Sequence, residues 1–237
     1  MESSTRQDDH TTGALADDGP LGGNDEIRRL VRTVSDELIE QGAKATVLTG
    51  SHARGEASPH SDIDIFAIGE GPTEFLELRE GRLVGTYWFT SEEIRQRMYE
   101  PGRALVAVFG WRQAVVIADP SGIAAELKRD AEEWSWERVD RQADAWVCDE
   151  LAGWIEYVQK LATSLERGRD LDACALRANT ALRMAQVLAV HKRITSESEN
   201  GLWETIADAG GPEWRAALEQ ALAKNGEDVR TSSTAAL

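Results

Sequence analysis

The sequence predicts an α+β protein, a mixed α/β N-terminal half followed by a helical C-terminal half, with the boundary near residue 130. Three observations carry this reading. Short apolar segments bounded by turn residues recur between Ala45 and Ile117. From about Ile123 onward, apolar positions recur at helical spacing almost throughout. At the ends, residues 1–23 are polar, small and rich in Gly and Asp, and 226–237 lack any pattern, so both are expected as tails. The expected organisation is a tail over 1–23, domains over 24–130 and 131–225, and a frayed end.

Asn24 or Asp25 can cap a helix whose apolar positions are Ile27, Leu30, Val31, Val34 and Leu38, with Gly42 as its stop. Ala45–Thr49 reads as a short strand, followed at once by Gly50-Ser51. Asp62–Ile68 alternates, with Asp62 and Asp64 on one face and Ile63 and Ile65 on the other. After a turn at Glu80-Gly81, Arg82–Thr90 is extended. Thr90 or Ser91, ahead of Glu92 and Glu93, then starts a helix. Leu105–Phe109 fits either a strand or a buried helix, and Ala114–Ile117 is short and extended. Helices are expected over Ile123–Trp134, Glu137–Arg167, Asp172–Lys192 and Glu213–Lys224, with Leu151, Trp154, Ile155, Val158 and Leu161 tracing one stripe.

Composition narrows the partners. The formal net charge is −16, and no basic stripe or aromatic track is visible, which disfavours a polynucleotide. The same charge would draw a cationic small molecule toward a cleft. There is no apolar run of about 18 residues and no signal-peptide core, so a cytoplasmic protein without a membrane partner is expected. Cys148 and Cys174 lack metal-site spacing and are expected as buried free thiols. His52 and His60 are expected as exposed loop histidines.

The segment GSHARGEASPHSDID at 50–64 carries the chemistry. Gly50 has no Cβ, so its backbone can approach a phosphate closely. Ser51 adds a hydroxyl, and the N–H groups of a helix opening there add a positive dipole end. Asp62 and Asp64, two apart on a strand, offer two hard oxygen ligands on one side, suited to one divalent metal or a pair.

Gly-Ser, ten residues, then Asp-any-Asp between two strands resembles the DNA polymerase β-like nucleotidyltransferase superfamily, and Arg54-Gly55 matches its usual ARG segment. The resemblance implies a mixed-sheet nucleotidyltransferase domain that binds a nucleoside triphosphate through Gly50, Ser51 and Arg54 and holds Mg²⁺ with Asp62 and Asp64. YWFTSEEI (87–94), WIEYVQK (154–160) and the stretch 189–211 are similar to the kanamycin nucleotidyltransferase family of antibiotic nucleotidyltransferases. That likeness implies a C-terminal helical domain, a homodimer, and Glu156, followed by Tyr157, as a general base acting on the partner's site. It also implies AMP transfer from ATP to the hydroxyl of a small acceptor, of the aminoglycoside or lincosamide class. One departure stands out: the register through SEEI places Thr86 where the family has a third metal carboxylate, with Glu77 and Glu80 as alternatives. A nucleotide-binding regulatory or antitoxin-like module is the competing expectation.

Overall fold

The computed structural model describes Leu21 and residues 24–196 and 199–222; the expected tails otherwise fall outside the described residues. Leu21 departs from the tail reading, since it is buried in the first core and its carbonyl accepts the N–H of Asn24. The chain divides into two units. One runs up to Tyr99 and includes Ala107–Trp134, and the other joins Glu100–Val106 to the residues from Ser135 on.

In the first unit, the Asn24 side chain accepts the N–H of Ile27 at 3.1 Å and starts helix α1, Asp25–Glu40. Its Ile27, Leu30, Val31, Val34 and Leu38 are all buried, as their spacing predicts. They pack on one face of a five-stranded mixed sheet, each contributing about 1.5–3 kcal/mol of burial. The strands are β1 (Ala45–Thr49), β2 (Ile63–Ile68), β3 (Glu74–Arg79), β4 (Arg82–Phe89) and β5 (Val115–Ala118), in the order β3-β4-β2-β1-β5. β2 and β4 pair in parallel, and the other pairings are antiparallel.

Strand β3 was not expected from the sequence. Its EFLELR pattern alternates poorly because this edge strand has exposed residues on both faces. Glu80 and Gly81, both at positive φ, close the β3–β4 hairpin as a two-residue turn.

Helix α2, Gly50–Arg54, follows β1 directly. Helix α3, Ser91–Tyr99, starts with a reciprocal cap: Thr90 Oγ1 accepts the Glu93 N–H at 3.2 Å, and Glu93 Oε2 accepts the Thr90 N–H at 2.8 Å. The segment 105–109 is helical, inside α4 (Pro101–Gln113), and α5 is Ile123–Glu132.

The second unit holds a 3₁₀ turn at Trp136–Val139, then α6 (Asp140–Glu166), α7 (Asp170–His191), α8 (Glu199–Gly210) and α9 (Pro212–Leu222). Helix α8 is additional to the expected helices. Its Leu202 and Ile206 join Val147, Val187, Val190 and Leu218 in the core of this unit. The α6 stripe divides. Trp154 and Leu161 are half-buried, whereas Leu151, Ile155 and Val158 face solvent together with Leu165. Cys148 and Cys174 are free, as expected, but exposed rather than buried.

Candidate functional site

Alternation along the sheet sorts the candidate residues onto two faces. Ile63, Ile65, Val84 and Trp88 belong to the core shared with α1. Asp64 and Phe66 point the other way, as do Gly85, Tyr87 and Phe89, and Phe66 packs edge-on against both Tyr87 and Phe89. Asp62 lies one residue before β2, exposed, in phase with Asp64.

Gly50 stands beside this face. It has φ +69°, and a Cβ there would come 2.7 Å from Asp64 Oδ2. Close approach is therefore required, and the group approached is the Asp64 carboxylate. Only glycine combines that left-handed backbone with that contact without strain. Ser51 is half-buried in the first turn of α2. The chain thus brings Gly50, Ser51, Asp62 and Asp64 to one place. Arg54 is engaged otherwise, with Nε 2.8 Å from Glu56 Oε2 and the side chain largely buried.

The electrostatics of the pair are unbalanced. Burial pushes the Asp64 carboxyl above its ordinary value, and the neighbouring Asp62 charge pushes it further; a hydrogen bond from Tyr87 works against both. Two carboxylates left repelling one another form a donor set that fits one divalent cation. Among the described residues no group of three or more His, Cys, Asp or Glu side chains could hold a metal.

Thr86 is not part of this centre. It is buried on the α1 side, with its hydroxyl donating to the Phe75 carbonyl at 3.4 Å. The parallel register pairs Asp64 with Gly85 and Ile65 with Thr86, so the assignment of Thr86 was one residue off and on the wrong face. Glu77 and Glu80 do not replace it: Glu77 pairs with Arg79, and Glu80 with Arg29.

What lies beside Asp64 is Tyr87, a residue the sequence reading did not single out. Its phenol pKa is pushed up to about 12, first by burial and then by Asp64, Glu74 and Asp62, so it remains a proton donor at neutral pH. Glu74 is its register partner on β3. A glycine two residues before a tyrosine on a strand was the available signal, but only the strand pairing shows that they flank Asp64.

His52 also departs from expectation. It is buried on α2, Nε2 has no hydrogen-bond partner, and its pKa is lowered by burial and then by Arg82. His60 is exposed, as expected.

Glu156 lies on α6 in the second unit. It is exposed and pairs with Lys160 at 2.8 Å, one turn along the helix. That hydrogen bond and the Lys160 charge hold its carboxyl below the ordinary range. Tyr157 beside it stacks on Trp154 with ring centroids 4.2 Å apart.

Comparison with known proteins bears on the fold. Residues 27–101, from α1 to the start of α4, match the family model described as a nucleotidyltransferase domain. Among solved structures, a nucleotidyltransferase-like protein from Exiguobacterium sibiricum is similar at 15% identity with a TM-score of 0.53, covering 86% of this chain and 69% of that one. No curated protein matches the chain. The first unit therefore has the nucleotidyltransferase fold and resembles that superfamily in its motif, which suggests nucleotide transfer in general terms. No helix among the described residues is long and apolar enough to cross a membrane.

Proposed function

We propose that the protein transfers a nucleoside monophosphate, AMP from ATP, to a hydroxyl of a small acceptor. The observation that carries this reading is the convergence of Asp62, Asp64, Gly50 and Ser51 on one sheet face at the start of α2. Ser51 and the first N–H groups of α2 would receive phosphate oxygens, since both are donors that adjoin Gly50, the residue in close approach to Asp64. Asp62 and Asp64 would hold Mg²⁺, which supplies neutralisation of the triphosphate and polarisation of its α-phosphate.

The acceptor oxygen attacks the α-phosphorus, the bond to the β-phosphate oxygen breaks, and pyrophosphate leaves. The acceptor's proton goes to a carboxylate, and we assign that role to Glu156, which is exposed and ionised. Its ion pair with Lys160 makes it a weaker base, so the pair must loosen when acceptor binds. The exposed apolar residues of α6 support a homodimer, consistent with Glu156 serving a partner's site. The net charge of −16 supports a cationic acceptor, such as an aminoglycoside-like antibiotic, with lincosamide-like acceptors second.

A regulatory nucleotide-binding module is the second reading. It is favoured by the absence of any three-carboxylate cluster among the described residues. The deciding experiment incubates the protein with Mg²⁺, α-labelled ATP or GTP, and a panel of hydroxylated antibiotics. Transfer of label to a panel member supports the enzyme. Tight ATP binding without transfer to any acceptor favours the module.

A further inference from the structure

The Tyr87 ring lies in the trough above Gly85. A Cβ built on Gly85 would come 2.7 Å from the phenol oxygen, 2.8 Å from Cε2 and 3.0 Å from Cζ. Gly85 is also the register partner of Asp64 on the neighbouring parallel strand. The two observations are linked. Any side chain at 85 would collide with Tyr87, so the bare position lets the phenol lie over Gly85, directly across the strand pairing from Asp64. An edge-on contact with Phe66, centroids 5.6 Å apart, also restrains the ring. On this face β4 carries Leu83, Gly85, Tyr87 and Phe89, and therefore no carboxylate.

We propose that Tyr87 is a positioning residue of the Asp62–Asp64 centre: its phenol orients Asp64 by donating to it and fills the space a third carboxylate from β4 would need, so that the centre takes a single divalent cation. The inference rests on the metal role assigned to Asp62 and Asp64. A carboxylate ligand with one oxygen held by a fixed donor presents the other in one direction, and loss of such an outer partner commonly weakens metal binding by about 10–100-fold. Gly85 shares the role indirectly, because it makes the room that lets Tyr87 lie down.

The test is Mn²⁺ binding to the full chain, followed by the paramagnetic resonance of free Mn²⁺, without nucleotide or acceptor. Wild type, Asp64→Asn, Tyr87→Phe and Gly85→Ala are compared, with circular dichroism checking that each folds. We expect one Asp64-dependent Mn²⁺ per chain in the wild type. Tyr87→Phe should keep that count with affinity weakened about 10-fold. Gly85→Ala, which displaces the ring, should show a similar loss. If Asp64→Asn changes nothing, the metal reading itself fails, and the inference falls with it. If Asp64→Asn removes the site while Tyr87→Phe binds like wild type, the metal reading stands and the role of Tyr87 is overturned. Two Asp64-dependent ions in the wild type would equally overturn the single-cation centre.

Discussion

Helices α1 and α6 carry apolar side chains at the same helical spacing, and the two units use them differently. On α1 the stripe is closed off by the sheet, and Val31 is 0% exposed. On α6 the equivalent residues split between two sides, and Ile155 remains 60% exposed beside Leu151 and Val158. Leu151, Ile155, Val158 and Leu165 stand four, three and seven residues apart, the seam spacing of helices that pack on a second helix. An apolar stripe therefore states that a helix needs a partner without saying whether that partner lies within its own unit. The chemistry divides similarly: the carboxylates on the first unit crowd one another, whereas Glu156 on the second has an exposed cationic neighbour.

The largest effect tests the first unit. Asp62→Asn or Asp64→Asn should lower AMP transfer by at least about 10³-fold in a steady-state assay, with far-ultraviolet circular dichroism unchanged, because each removes an anionic ligand near the surface. Wild-type turnover in either variant would remove the metal centre from these residues.

Next comes the second unit. Glu156→Gln should reduce kcat by roughly 10²–10⁴-fold with little change in nucleotide affinity. If the site is shared between protomers, mixing Glu156→Gln with Asp64→Asn protein should restore part of the activity. No recovery from well-mixed dimers would place Glu156 outside a shared site.

The stripes are compared by truncation. Leu30→Ala on α1 should cost about 2–5 kcal/mol in urea unfolding, since it leaves a cavity in a closed core. Ile155→Glu should instead leave the isolated fold stable and move the protein from dimer to monomer by light scattering. A monomeric wild type at micromolar concentration would show that the α6 stripe has no second copy to meet.

The smallest effect concerns the strain of the carboxylate pair. Asp64 has a folded pKa above its ordinary 3.8, so the native state holds that proton more tightly, and ionisation costs stability. The penalty is fully present above the raised value and disappears as pH falls through it toward 3.8. Without metal, Asp64→Asn should therefore raise Tm by a few degrees at neutral pH and lose that advantage in acid. An equal or lower Tm at neutral pH would mean that the pair is relieved by some other cation.

Much of this was legible because the signals are local. The Asn24 cap, the Thr90–Glu93 box and the shared face of Asp62 and Asp64 each depend on residues within one turn or one strand. Other features depend on what a segment meets. Strand β3 exists through its hairpin with β4, His52 is buried although it sits in a polar segment, and both cysteines are exposed. The Thr86 assignment failed for the same reason. A slip of one residue in strand pairing moves a side chain to the opposite face.

By itself the sequence determined the α+β order of elements, the shared face of Asp62 and Asp64 and the helical character of the second unit, because spacing along the chain dictates which residues share a face. Only the tertiary structure decided that Gly85 and Tyr87, not Thr86, stand beside Asp64, and that part of the α6 stripe lies open. Strand register and helix burial are settled by which distant surfaces pair, and a period of two or of 3.6 residues carries no record of the partner.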